Sequence, residues 1–159
     1  MISETQNNSL LTLANLNHID TRLDRISRNE IIEYLKSSHR NYRNSSIPQI
    51  EQSFLGLLKM FPLEPSLSVI FNMFLKFQIS LKLQMKIEET TIYLNEIKKN
   101  ATGGNNITHA YEEPFLVEII SSLNRQTYSS NLFCQVLINQ LVRLNNELEQ
   151  HCWIEENLI

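Results

Sequence analysis

The sequence predicts an all-α chain folded as an antiparallel four-helix bundle. Two observations lead there. Among 159 residues only 3 are Gly and 4 are Pro, too few for the tight turns of a β-sandwich or barrel of this length. Four segments also carry apolar residues at steps of three and four, the period of a helix with one buried face. The length suits one domain. A composition of 42% hydrophobic and 19% charged residues is that of an ordinary globular chain.

Residues 1–26 are polar, Asn-rich and dotted with leucines, and read as an N-terminal arm or short docking segment; the bundle is expected over 27–159. At Ser27 the text changes. Ser27-Arg28-Asn29-Glu30 is a capping box, in which Ser27 accepts from the backbone N–H of Glu30 and Glu30 reaches back to that of Ser27. Ile31, Ile32 and Leu35 follow at helical spacing. The first helix is expected to run to about Phe61. Pro48 lies inside it and removes one backbone hydrogen bond, so a kink or short break is expected near Ser45–Ile47.

Pro62 and Pro65 bracket a turn, with Pro65 suited to the first turn of a second helix, where its missing N–H is harmless. No Gly or Pro interrupts the chain from Ser66 to about Lys99. Within it, Phe77 to Ile87 alternates apolar and polar residues, the period of a strand. The residues involved are mostly Leu, Lys, Gln, Met and Ser, and no turn or partner strand lies nearby, so helix is the reading. Residues 100–106 (NATGGNN) form a loop. A third helix should start at Glu112 or Glu113 with Pro114 in its first turn, and Ser129 or Ser130 should cap a fourth that runs to the C-terminus.

Several function classes fall away. Net charge is −3, and no basic run exceeds Lys98-Lys99, so no nucleic-acid partner is expected. Gly103-Gly104 lacks the continuation of a P-loop or dinucleotide fingerprint. Cys134 and Cys152 have neither zinc spacing nor a disulfide framework and read as reduced thiols. The most apolar stretch, Leu67–Leu75, is about half the ~20 residues that span a bilayer, and no secretory signal is legible, so no membrane partner and a cytoplasmic address are expected. No Ser/His/Asp or Cys/His order is present, and no catalytic residue is assigned.

Chemistry concentrates at a few spacings. His151 and Glu155 are four apart, hence on one helix face, and can share a metal or a hydrogen bond. Gln84 and Glu88 repeat that spacing with a weaker donor. His39 is a lone histidine on the first helix; His18 and His109 receive no role.

In order, His39-x-x-Tyr42 before Ile47-Pro48, Gln84-x-x-x-Glu88-Glu89, and His151-x-x-x-Glu155-Glu156-Asn157 resemble the hemerythrin-like domain of the iron–sulfur cluster repair proteins, also described as regulators of cell morphogenesis and nitric oxide signalling. NEIIEYLKSSHRNYRNSSIPQIE is similar to that family's first helix and LEQHCWIEENLI to its last, and the similarity covers about residues 24–159. The resemblance implies a four-helix bundle around a non-haem di-iron centre, with a role in iron–sulfur repair or the nitric oxide response. It places Glu88 and Glu155 at bridging carboxylates, His151 at the fourth-helix histidine, and either His39 or Arg40 at the first-helix histidine. It also implies a depleted set. Gln84 stands for one histidine, Phe61 for a second, and Ile120, Ser121 and Ser122 supply none. The metal ligands that remain are His39, Glu88, His151 and Glu155, enough for one divalent metal. Gln84 and Arg40 are of the type that could hold or neutralise the two carboxylates where a metal is lost. The alternative reading is a metal-free bundle acting as an interaction or regulatory module, with a homodimer as one form of it.

Overall fold

The computed structural model describes residues 26–93 and 113–159, and their regular structure is all helical. Helix α1 (Arg28–Asn41) opens on the capping box, with the Glu30 carboxylate accepting from the Ser27 N–H at 2.8 Å and Ser27 Oγ accepting from the Glu30 N–H at 3.3 Å. α1 does not end or break at Pro48. It passes through a five-residue π turn, Tyr42–Ser46, straight into α2 (Ile47–Met60). In this turn the Ile47 N–H reaches the Tyr42 carbonyl. Pro48 is the second residue of α2. Its missing donor and its ring fall where the hydrogen-bond ladder is already shifted by one residue, so the widened turn replaces the expected break.

α3 (Pro65–Ile87) starts at Pro65 and resolves the alternating stretch as helix. Phe77, Leu81 and Met85 are buried at steps of four, while Ile79, Leu83 and Ile87 stay exposed. The alternation therefore leaves an apolar stripe facing outward. α3 continues through a second π turn, Glu88–Ile92, to Tyr93. The expected extension to Lys99, the loop at 100–106 and most of the arm lie outside the described residues.

α4 (Glu113–Asn124) has Pro114 as its second residue. α5 (Leu132–Leu158) is capped by Asn131, whose side chain accepts from the Phe133 N–H at 2.9 Å. The expected caps Ser129 and Ser130 lie instead in the turn before it, closed by the Asn131 N–H on the Tyr128 carbonyl at 3.0 Å. Asn is as good a cap as Ser, and that turn hands it the position.

These elements make four helices: α1 with α2, α3 with its π turn, α4, and α5. α5 packs on α1, α2 and α4, and α3 on α2 and α4. Side-chain pairs fix the register: His39 with His151, Tyr42 with the Glu147 carbonyl, and Ser53 with Gln140. They step forward along the first helix and backward along α5.

The interior is divided. A large apolar cluster runs from Tyr42 and Ile47 through Phe54, Phe74, Leu81, Met85, Leu116 and Leu137 to Leu148. A smaller one gathers Ile31, Ile32, Leu35, Tyr93 and Ile154. Each fully buried side chain of this kind stabilises by roughly 1.5–3 kcal/mol before entropy is counted. In chain order His39, Glu88 and His151 fall between the two clusters and Glu155 follows Ile154; these are the four buried polar side chains among the described residues. No described helix is long and apolar enough to cross a membrane.

Candidate metal centre

Each helix brings its residue inward for a local reason. His39 sits one turn after Leu35 on the buried stripe of α1. His151 and Glu155 continue the inward stripe of α5 after Leu144 and Leu148. Glu88 follows Leu81 and Met85 on α3 and is fully buried. The π turn that begins at Glu88 matters here. An α-helix would carry residue 93 well away from the face of residue 88, but a turn bonded five residues apart returns it to that face. Glu88 and Tyr93 are accordingly both fully buried.

One donor atom from each of His39, Glu88, His151 and Glu155 lies within 4.8 Å of every other. His39 Nε2 is 3.0 Å from His151 Nε2 and 3.1 Å from Glu88 Oε2. His151 Nε2 is 3.2 Å from Glu155 Oε1. The four expected ligand positions thus meet at one level of the interior, and the choice between His39 and Arg40 falls on His39. Arg40, the next residue on α1, is exposed.

The surrounding contacts hold these groups in place. Gln84 donates to Glu88 Oε1 at 2.7 Å, one helical turn away, which leaves Oε2 for the centre. The Tyr93 hydroxyl donates to Glu155 Oε1. Glu89 Oε1 lies 2.9 Å from His39 Nδ1 and also accepts from the Arg43 guanidinium. On the far side of His151, the Tyr42 ring stands edge-on at 5.9 Å, with its hydroxyl donating to the Glu147 carbonyl at 3.2 Å. Burial first, and then the Glu147 carboxylate, hold the Tyr42 phenol far above its ordinary pKa, so it stays a neutral donor. Arg43, Glu89 and Tyr93 are the functional neighbours that reading the sequence did not single out. The doublet Glu88-Glu89 was the signal available for one of them. Arg43 and Tyr93 carry no spacing signal, because their positions depend on the two π turns.

The electrostatics of this layer ask for positive charge at its centre. Both ring nitrogens of His39 face carboxylate oxygens, which as ionised groups can only accept: Glu89 Oε1 at Nδ1 and Glu88 Oε2 at Nε2. Nε2 also faces the second imidazole at hydrogen-bonding distance. Buried acceptors crowded this way are costly unless protons or a cation sit between them.

The donor set fits one metal ion. Imidazole and carboxylate ligands at about 2.0–2.2 Å from an ion lie roughly 3–4 Å from one another, and the observed separations of 3.0, 3.1 and 3.2 Å fall in that range. Two ions would have only one imidazole each among the described residues. Phe61, one of the positions where the resemblance places a further histidine, stacks on Tyr128 at 5.3 Å. It lies roughly 30 Å from His39 along a continuous helix rising ~1.5 Å per residue. Ile120 packs at the edge of the large apolar cluster. Cys134 and Cys152 are buried thiols outside any disulfide; burial pushes the Cys134 thiol pKa up. Comparison with family models, with curated proteins and with solved structures gives no match.

Proposed function

We propose that this chain is a hemerythrin-like antiparallel bundle that binds one divalent transition-metal ion, iron(II) by preference, through His39, Glu88, His151 and Glu155. The observation that carries this reading is the convergence of four lone-pair donors in a buried layer, with Glu89 and Gln84 holding His39 and Glu88 from behind and Tyr93 bonded to Glu155. Outer partners that fix the tautomer and orientation of ligands are the usual companions of a metal site. A mixed imidazole and carboxylate set suits iron, manganese or zinc rather than a soft ion.

When bound, iron(II) supplies open coordination positions for a small diatomic ligand, and a role in the nitric oxide response or iron–sulfur repair follows from the resemblance in the sequence. The protein's part is to orient the two imidazoles, hold the two carboxylates, and shield the layer from water with apolar clusters on either side. The test is metal analysis of the full chain expressed in iron-rich medium. About one equivalent of metal is expected, falling below about a tenth of an equivalent in Glu155→Ala. Two equivalents would overturn the single-ion reading, and none in either protein would overturn the metal reading altogether.

A second reading, a metal-free interaction module, draws on the exposed stripe Ile79, Leu83 and Ile87 on α3. Apolar surface of this kind is commonly covered by a partner or a second copy. Metal-free protein that forms a homodimer, and dissociates when Leu83 becomes Glu, would favour it.

A further inference from the structure

Helix α3 carries two apolar faces, and the bundle buries only one of them. Phe74, Phe77, Leu81 and Met85 are shut inside, while Ile79, Leu83 and Ile87 are 68%, 58% and 44% exposed. At about 100° per residue, Ile79 and Ile87 stand roughly 40° to either side of Leu83, so the three form one ridge on the side away from the core. The charge on this helix is one-sided as well. From Pro65 to Ile87 its only charged residues are Lys76, Lys82 and Lys86, in a chain whose net charge is −3. All three are exposed. None has an ion-pair partner among the described residues, whereas Lys36, Arg43, Arg125 and Arg143 each meet a carboxylate. By the same geometry Lys86 and Lys82 fall roughly 60° and 100° from Leu83 on the Ile79 side, and Lys76 roughly 20° from it, two turns earlier. Positive charge without a partner therefore borders one edge of the apolar ridge and stands at one of its ends.

We infer that this face of α3 is a docking surface for an acidic amphipathic helix of another protein. The apolar side of that helix covers Ile79, Leu83 and Ile87, and its carboxylates pair with Lys76, Lys82 and Lys86. This rests on the interaction reading, whose partner it names, and asks nothing of the metal layer, which begins on the buried side of the same helix at Glu88. Charge complementarity selects the occupant. A second copy satisfies the apolar residues alone: a two-fold axis at Leu83 would set Ile79 against Ile87 across it. In that antiparallel pairing each edge meets its own copy, so Lys82 and Lys86 confront themselves; in a parallel pairing Lys76 does. Like charges brought so close repel and disfavour both arrangements. Residues 1–25 offer little net acid, with Glu4, Asp20 and Asp24 set against Arg22 and Arg25. An anionic bilayer supplies the charge but is flat, and would also have to meet α2 and α4, which pack beside α3 and carry Glu51 and Glu118. A single helix is as narrow as the ridge, and a row of residues four apart is what helices pack against.

The experiment titrates the full chain into fluorescein-labelled peptides of about 18 residues, long enough to form a helix. Each has Leu at three- and four-residue steps, with the flanking positions all Glu, all Gln or all Lys. At low salt the Glu peptide is expected to bind with a Kd of about 100 µM or tighter, the Lys peptide at least about tenfold more weakly, and the Gln peptide in between. Leu83→Ser is expected to weaken the Glu peptide about tenfold. The double variant Lys82→Glu/Lys86→Glu is expected to reverse the order, so that the Lys peptide binds more tightly than the Glu peptide. These positions are exposed, and unchanged helical circular dichroism checks that the variants fold. A Glu peptide bound no more tightly than the Lys peptide, an order that the double variant leaves unchanged, or no saturation by about 1 mM overturns the acidic occupant. Sedimentation of the chain alone tests the second copy. A dimer that Leu83→Glu separates keeps the interaction reading and overturns this inference. Co-sedimentation with vesicles of phosphatidylcholine and phosphatidylserine, in a protein that does not prefer the Glu peptide, gives the face to a lipid surface and also overturns it. A chain that binds neither peptide nor vesicle and forms no dimer overturns the interaction reading as well.

Discussion

Phe74 and Glu88 lie on the same helix and are equally shut away from solvent, both at 0% exposure, yet different physics holds them there. Phe74 sits among Phe54 and Phe77, with ring centroids 5.3 and 6.2 Å away, in a cluster where any apolar group of suitable volume lowers the free energy. Glu88 sits where only certain atoms in certain directions do, between an amide donor at 2.7 Å and an imidazole at 3.1 Å. The apolar region gains from burial itself; the polar layer carries a cost that only matched partners offset. A metal ion or a set of shared protons is what makes the second region tolerable, and the first asks for neither.

The largest effect that sharpens this contrast is in the apolar region. Phe74→Ala removes a fully buried ring and is expected to lower stability by about 3–5 kcal/mol in urea titration, with or without added metal. A loss below about 1 kcal/mol would mean that the cluster is loosely packed and the contrast is overdrawn. In the polar layer the sign is expected to reverse for the metal-free protein. Glu88→Gln keeps a side chain of the same shape while removing a buried charge. Metal-free, it should be as stable as the unmodified protein or more stable by about 1 kcal/mol. It should also lose the stabilisation that metal gives the unmodified protein, about 2.7 kcal/mol at a free metal concentration 100 times Kd. Marked destabilisation of metal-free Glu88→Gln would show that the carboxylate is matched by the protein alone.

The smallest effect is a control at the helix entrance. The Ser27 backbone N–H, and then its hydroxyl, hold the Glu30 carboxyl below its ordinary pKa. A group depressed in the folded state contributes stability above its unfolded pKa and loses it as pH falls through the folded value. The difference in Tm between the unmodified protein and Glu30→Gln should therefore shrink as pH drops below the carboxylate range. A difference that persists in acid would mean that the cap acts without its charge. Acid sensitivity that remains in Glu30→Gln then belongs to other groups, the buried layer included.

Much of this was legible in the residues themselves. The capping box at Ser27, the start at Pro65 and the inward stripe of α5 depend on neighbours three or four positions away, and local rules fix them. The meeting of His39, Glu88, His151 and Glu155 was expected from the family resemblance, which placed them at ligand positions, and not from periodicity. The cap at Asn131 was missed because Ser129 and Ser130 offer equal local chemistry, and the turn closed on Tyr128 chose among the three. The passage beyond Pro48 was expected, but the π turn that takes the place of a kink or break was not, because such a turn has no composition of its own.

By itself, then, the sequence determined the helices and their buried faces, because each follows from periodicity and capping within a turn or two; the four polar residues were named through the family resemblance. The tertiary structure alone decided that Arg43, Glu89 and Tyr93 belong with them, and that Arg40 does not. Each π turn shifts the helical phase by one residue, and the contacts from Arg43 to Glu89 and from Tyr93 to Glu155 join positions on different helices. Such contacts form only once packing has set the register between those helices, and no local pattern encodes that register.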